Sequence, residues 1–403
     1  MTVLTRRHTL AGLAATACSG KAFAQPGPQA DLYGAQDGYP VPPNPMAQLR
    51  GNPWPPKYRV GAFTHLDRIY KTHTVSRATE PWSFKRVALD GQSLIADYLA
   101  HHPVTGLLIA HDDTILVEQY QYGRTDKDRF VSQSMVKSIT GLLVGLAIAD
   151  GAIKSVDDLP GQYVPGLKGS EYGRTPIRAL LHMSSGVEFG EERDNGRDLN
   201  RLWMGAIAGM GPGHGTIDAI RQFNHRIAPP GTRFSYASVE PDVLSMVLKH
   251  TIPKTASAYF QEKIWQRIGA ESDATWMVDA EGYEFGHFGF SAALRDYARL
   301  GRLLAHDGAW NGQQIIPARW MIEATTVRPE DTCLLPGKAM RDFGYGYLFW
   351  LLPGNRRQFA LVGAFGQRII VDPQSKLVMV QTALDETDAG SWKLWRTLVA
   401  QLG

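Results

Sequence analysis

Only two cysteines, Cys18 and Cys333, occur in 403 residues, so no disulfide scaffold holds this chain together. Neither C-x-x-C nor H-E-x-x-H is present, which removes the common zinc patterns, and no metal or cofactor is expected. No apolar run approaches the ~18 residues of a spanning helix. An excess of one charge is missing too. The 42 Lys and Arg stand against 39 Asp and Glu, without a basic cluster or stripe, so the electrostatic footprint of a nucleic-acid binder is absent. With 41 Gly and 24 Pro, usage is ordinary, which excludes collagen-like repetition and bulk disorder. What is present is 44% hydrophobic and 20% charged residues in a chain long enough for a sizeable core. At ~150 residues per domain it would hold two or three domains, or one large domain with an insertion.

Residues 1–24 read as an export signal. Arg6 and Arg7 give a positive start, Leu10 to Ala17 a short apolar stretch, and Ala22-Phe23-Ala24 a small-residue cleavage site. Thr5-Arg6-Arg7 followed by Leu10 is similar to the twin-arginine pattern; an ordinary secretory signal is the alternative. A lipid anchor on Cys18 is disfavoured, because Ala15 stands where such signals usually carry Leu. Once Arg6, Arg7 and Lys21 are removed, 39 basic groups face 39 acidic ones. A near-neutral chain does not steer a highly charged partner over long range. A periplasmic location follows as the expectation.

Residues 25–80 begin with many prolines, among them Pro40, Pro42, Pro43, Pro53, Pro55 and Pro56, and read as an extended arm on the domain surface. Gly106 to Ala110 and Thr114 to Tyr122 flank His111-Asp112-Asp113, a hairpin signal. A helical pattern begins near Ser134 and ends at Asp150-Gly151. Further helical spacing covers Ile177 to Met183, Pro241 to Lys249, Ala256 to Ile268 and Ser291 to His306. Strand patterns return at Gly346 to Leu352, Phe359 to Val362, Arg368 to Val371 and Leu377 to Thr382, before a helix over Ala389 to Leu402. The expectation is an α+β fold: an antiparallel sheet flanked by helices, built from 81–133 and 275–403, with a helix-rich inserted domain over 134–274.

The sharpest local signal is Ser134-Met135-Val136-Lys137 at the start of an apolar helix. Residues i and i+3 share a helix face, so the Lys137 amine can reach the Ser134 hydroxyl. A serine hydroxyl becomes a useful nucleophile when a neighbouring base takes its proton, and a lysine serves as that base when its surroundings disfavour the ammonium form. Free N–H groups at a helix start favour an oxyanion there. Alone, the tetrapeptide fits equally a capping serine followed by a surface lysine.

Context follows in order along the chain. Leu180-Leu181-His182-Met183-Ser184-Ser185-Gly186-Val187 is a turn motif, and Pro229-Pro230-Gly231-Thr232-Arg233-Phe234-Ser235-Tyr236-Ala237-Ser238 leads into a tyrosine with a hydroxyl residue two places on. Trp310 to Pro317, Tyr345-Gly346-Tyr347 and Gly363-Ala364-Phe365-Gly366-Gln367 complete the set. From about Thr105 to Thr382 this order resembles the serine β-lactamase and penicillin-binding protein superfamily, and within it the 6-aminohexanoate-dimer hydrolases and the esterases related to class C β-lactamases.

The resemblance implies a serine hydrolase with Ser134 as acyl-forming nucleophile, Lys137 as base and Tyr236 as proton relay. It implies an oxyanion hole made of the Ser134 and Ala364 N–H groups, with Gly363 giving room. Ser238 becomes a substrate hydrogen-bonder, with a plain loop serine the alternative, and Asp194 and Asp198 an acidic border suited to a substrate amine, with a solvated loop the alternative. Apart from the resemblance, Trp203, Trp276 and Trp350 are candidates to line a cleft, with core packing the alternative. His182 and His287 are read as structural. Where β-lactamases and transpeptidases carry Lys-Thr-Gly or His-Thr-Gly, this chain has Leu361-Val362-Gly363. The missing cation removes a charged hydrogen bond worth ~1.5–3 kcal/mol to a substrate carboxylate. Arg368 is the one candidate to replace it.

These readings favour a small-molecule ester or linear amide as substrate. A β-lactamase or D-alanyl-D-alanine carboxypeptidase is the first alternative, and a cell-wall ligand-binding module with little turnover the second. Oligomeric state stays open.

Overall fold

The computed structural model describes residues 26–43, 54–89, 92–191, 197–208, 215–385 and 388–403. The export signal, Cys18 and Asp194 lie outside these residues.

Along the chain, helix α1 (Pro56–Thr64) and strands β1 (Thr72–Val75) and β2 (Lys85–Arg86) lead to α2 (Gln92–His101) and the hairpin β3 (Val104–His111) and β4 (Thr114–Tyr120). Strand β5 (Phe130–Val131) is followed by one 3-10 turn (Gln133–Met135) and helix α3 (Val136–Ala149). The helical middle comprises α4 (Pro160–Tyr163), α5 (Ile177–Leu181), α6 (Arg197–Ala208), α7 (Gly215–Arg221), α8 (Val239–Thr251) and α9 (Ala256–Phe260). Then come β6 (Ala274–Met277), β7 (Phe290–Ala292), α10 (Leu294–Ala305), the hairpin β8 (Ala309–Trp310) and β9 (Gln313–Gln314), and α11 (Ala318–Ala324). Strands β10 (Gly344–Tyr345), β11 (Trp350–Leu351), β12 (Phe359–Gly363), β13 (Gln367–Asp372) and β14 (Leu377–Ala383) precede the closing helix α12 (Asp388–Leu402).

The large sheet runs β10-β11-β12-β13-β14-β3-β4-β2. Its neighbours are antiparallel apart from the short edge strand β2, which is parallel to β4. The two ends of the chain meet at its centre, where β14 pairs β3 with Val380 opposite Leu108. Period-2 alternation decides what each face buries. Leu107, Ile109, Ile370, Leu377 and Met379 pack with Tyr98 and Leu99 of α2 and Leu394, Trp395 and Leu398 of α12. Their neighbours Leu108, Ala110, Ile369, Val371, Val378 and Val380 turn to the main core with Leu300, Leu303 and Leu304 of α10. Helix α3 is predominantly apolar and accordingly central: residues Val136 to Ala147 are all buried, Lys137, Ser138 and Thr140 among them.

One expectation is corrected and one feature is new. The segment read as a surface arm instead sends Tyr33, Trp54 and Phe63 into the main core. It also forms α1, because Pro56 occupies the first helical turn, where a missing N–H costs nothing. A second sheet, β1-β6-β7-β5, was not foreseen. Its strands are too short for a clear alternation, and β1 reaches β6 across some two hundred residues of sequence, with Thr72 opposite Met277.

Candidate active site

Ser134 sits in the 3-10 turn that opens α3, at the junction between β5 and the buried helix. The turn is entered through Gln133, whose φ of 47° lies in the left-handed region that L-residues rarely adopt. This sharp entry is held from the other side by β12. A Cβ on Gly363 would fall 2.3 Å from the Ser132 carbonyl oxygen and 2.9 Å from Gln133 Cβ. Glycine is therefore required here for close approach, although its φ of −123° is ordinary. Ala364 follows immediately, as the first residue of another 3-10 turn, and is half-buried beside the Ser134 turn.

Lys137 is 1% exposed. Its Nζ lies 2.7 Å from Ser134 Oγ and 3.4 Å from the His287 carbonyl oxygen. Among the described residues no carboxylate forms an ion pair with it. The Nζ also stands over the face of Tyr236, 4.8 Å from the ring centroid, a cation–π geometry. Tyr236 is itself half-buried. Its ring stacks on Trp350 at 5.6 Å and meets Tyr345 edge-on at 6.4 Å. Phe234 packs against both Tyr345 and Trp350. Burial pushes the Tyr345 hydroxyl well above its ordinary range. The structure therefore brings Ser134, Lys137, Tyr236, Gly363, Ala364 and Trp350 into one neighbourhood.

Other candidates are placed differently. Ser238 is 2% exposed, and its hydroxyl and backbone N–H both donate to the Glu191 carboxylate, at 2.6 and 2.8 Å. Glu191 thus anchors the loop after α5 to the start of α8, just behind Tyr236. Asp198, on α6, accepts from the Gly190 N–H at 2.9 Å and from Arg201 at 3.1 Å. Trp276 belongs to the core, with its indole N–H given to the Phe285 carbonyl. Arg368 is turned away from Gly363: it donates to Ser391 Oγ at 2.8 Å and lies over the Trp392 ring on α12. Leu361 is fully buried.

Two groups behind the site carried no distinctive sequence signal. His287 lies between Asp242, whose carboxylate is 2.8 Å from Nδ1, and Trp203, whose indole N–H donates to Nε2 at 2.8 Å. Both partners hold rigid the backbone carbonyl that faces Lys137. Glu240, in the first turn of α8, is 1% exposed and accepts from the Ser185 N–H at 3.3 Å. Burial raises its carboxyl to about 8, outweighing the hydrogen bonds from Ser185 that oppose the rise.

Comparison with known proteins identifies the family of the chain as a whole. The family described as Beta-lactamase matches residues 92–403. A 6-aminohexanoate-dimer hydrolase of Paenarthrobacter ureafaciens is 26% identical over 355 residues, covering 82% of this chain and 87% of its own. Among solved structures, a Bacillus anthracis protein assigned as a 6-aminohexanoate-dimer hydrolase superposes with a TM-score of 0.74 at 21% identity, covering 85% of this chain and 93% of that one. EstCE1, a hydrolase with promiscuous acyltransferase activity, superposes at 0.59 with 16% identity, covering 75% and 95%. The sheet flanked by helices, the helix-opening serine with its lysine, and a match over most of the chain converge: the protein belongs to the beta-lactamase family of serine hydrolases.

Proposed function

We propose that this protein is an exported hydrolase that cleaves short carboxylic esters or linear amides through an acyl-enzyme on Ser134. The observation that carries the proposal is the 2.7 Å separation between the buried Lys137 amine and the half-buried Ser134 hydroxyl. Ser134 Oγ attacks the substrate carbonyl carbon while its proton passes to Lys137 Nζ. The carbonyl oxygen becomes an oxyanion facing the N–H groups of Ser134 and Ala364, each at the opening of a helical turn where N–H groups lack intrahelical partners. Collapse breaks the bond to the alcohol or amine, which leaves with the proton returned by Lys137 by way of the Tyr236 hydroxyl. Water then attacks the ester to Ser134 by the same route and releases the acid.

Esters and linear amides are favoured over β-lactams by what surrounds Gly363. Leu361 is buried and Arg368 is engaged on the α12 side, so neither supplies a cation for a substrate carboxylate. The name of the Paenarthrobacter relative points to a linear amide substrate. The stacked Tyr236 and Trp350 rings offer an apolar wall for an acyl or alkoxy group. Residues 1–24 support export.

A panel of short and long acyl esters, linear aminohexanoate amides and a cephalosporin, assayed with wild type and Ser134→Ala, tests the reading. Ester or amide turnover at least tenfold above cephalosporin turnover, abolished in Ser134→Ala, is the expected result. Faster cephalosporin turnover would assign a β-lactamase, and a stoichiometric burst without steady state a binding module.

A further inference from the structure

Beside the aromatic wall the chain forms a compact tip between α11 and β10. The Lys338 and Ala339 N–H groups donate to the Leu335 carbonyl at 2.9 and 3.0 Å, Gly337 N–H to Met340 at 2.8 Å, and Met340 N–H to Phe343 at 3.2 Å. This self-bonded loop holds two large apolar side chains in water: Leu335 is 41% and Met340 47% exposed. Pro336, Lys338 and Arg341 are exposed with them. The tip is continuous with the site. Phe343 packs on Trp350 at 6.3 Å, and Trp350 in turn stacks on Tyr236. Cys333 Sγ lies 3.4 Å from the Gly231 carbonyl oxygen, which brings the turn carrying Arg233 against the base of the tip.

Charge narrows what covers these side chains. Among the described residues Lys338, Arg341 and the exposed Arg233 have no ion-pair partner, and Asp342 is the only acid between 335 and 343. Apolar side chains flanked by unpaired cations complement the surface of an anionic bilayer, where the former enter the acyl boundary and the latter meet lipid phosphates. A second copy fits less well, because an isologous contact through this tip would set cations against cations.

We infer that residues 335–341 dock the protein on an anionic lipid surface, with Leu335 and Met340 inserted and Lys338 and Arg341 at the headgroups. The site then opens beside the lipid phase, and a water-insoluble ester reaches Ser134 along the Phe343, Trp350 and Tyr236 rings. That last step rests on the hydrolase reading; the docking itself does not.

Sedimentation with sucrose-loaded vesicles tests it, using the full chain, equal parts phosphatidylglycerol and phosphatidylcholine in one arm and pure phosphatidylcholine in the other. Binding to the anionic vesicles at least tenfold tighter than to the neutral ones is expected. Removing each cation lowers partition about fivefold, so Lys338→Gln with Arg341→Gln loses about 25-fold. Leu335→Ser with Met340→Ser loses tenfold or more. All four positions are exposed, so turnover of a short soluble ester stays at the wild-type rate and reports an intact fold. Equal binding to both vesicle types, or unchanged partition of the variants, overturns the inference. So does a concentration-dependent dimer abolished by Leu335→Ser, which would assign the tip to a second copy. Ser134→Ala carried through the same assay binds vesicles like wild type, so failure of catalysis and failure of docking are read separately.

Discussion

Glu240 gives a prediction that is independent of any substrate. Its carboxyl is buried in the first turn of α8 and held at about 8, whereas an ordinary glutamate, as in the unfolded chain, titrates near 4.5. Between these values the folded protein keeps a proton that the unfolded chain releases. Stability must therefore fall as pH rises through that window, the reverse of the usual carboxylate behaviour. At 1.36 kcal/mol per pH unit the displacement sets an upper bound of about 5 kcal/mol, and partial relaxation of the site makes about 2–4 kcal/mol the working figure. Glu240→Gln keeps an acceptor for the Ser185 N–H and cannot ionise. Urea unfolding of both proteins at pH 5, 6.5 and 8 isolates this group, because every other titration is common to the pair. Relative to wild type, the glutamine variant should gain about 2–4 kcal/mol between pH 5 and pH 8. A difference between the two that stays constant within about 0.5 kcal/mol across that range would refute the assignment of a neutral buried carboxyl.

Three further outcomes follow from the site. Lys137→Met preserves the length and packing of a buried side chain but removes the base, so ester turnover should drop by about 10²–10⁴; a variant within tenfold of wild type rejects the role. Gly363→Ala forces a Cβ against the Ser132 carbonyl at 2.3 Å. Overpacking of this kind costs about 1–3 kcal/mol, and thermal midpoint and turnover should fall together, whereas Ala364→Ser, whose side chain takes no part, should leave both near wild type. Glu191→Ala strips Ser238 of both its bonds at about 1–3 kcal/mol. Adding Ser238→Ala should then cost little more, and strict additivity in this double-mutant cycle would show the two residues to be uncoupled.

Much of the large sheet was legible because its strands are long enough to alternate. Phe359–Gly363, Gln367–Asp372 and Leu377–Ala383 lie within a residue or two of the patterns read from the chain. Helix α3 announced itself by the apolar stretch over 141–149 and the stop at Asp150-Gly151, where the Gly151 φ of 77° is left-handed. The second sheet was hidden because two- to four-residue strands carry no period and β1 finds β6 only through tertiary contact. Proline content misled at residues 25–60: proline forbids a helix interior yet suits its first turn, and composition does not register that Trp54 and Phe63 are core residues. At the site, Ser134 and Lys137 were visible because one helical turn joins them. Glu191 and Asp242 were not, since each acts on a partner more than forty residues away and is, in sequence, an ordinary acid; Trp203 was singled out, but for a cleft wall and not for its bond to His287.

In the proposed reaction Ser134 is made reactive by the amine 2.7 Å from it. Intact-mass and peptide analysis after treatment with a fluorophosphonate reads this activation on the serine itself. One adduct per chain on the peptide carrying Ser134, absent from Ser134→Ala and formed at least a hundredfold more slowly in Lys137→Met, is the predicted result. An adduct on any other residue, or labelling of the Lys137→Met protein at the wild-type rate, would contradict the account.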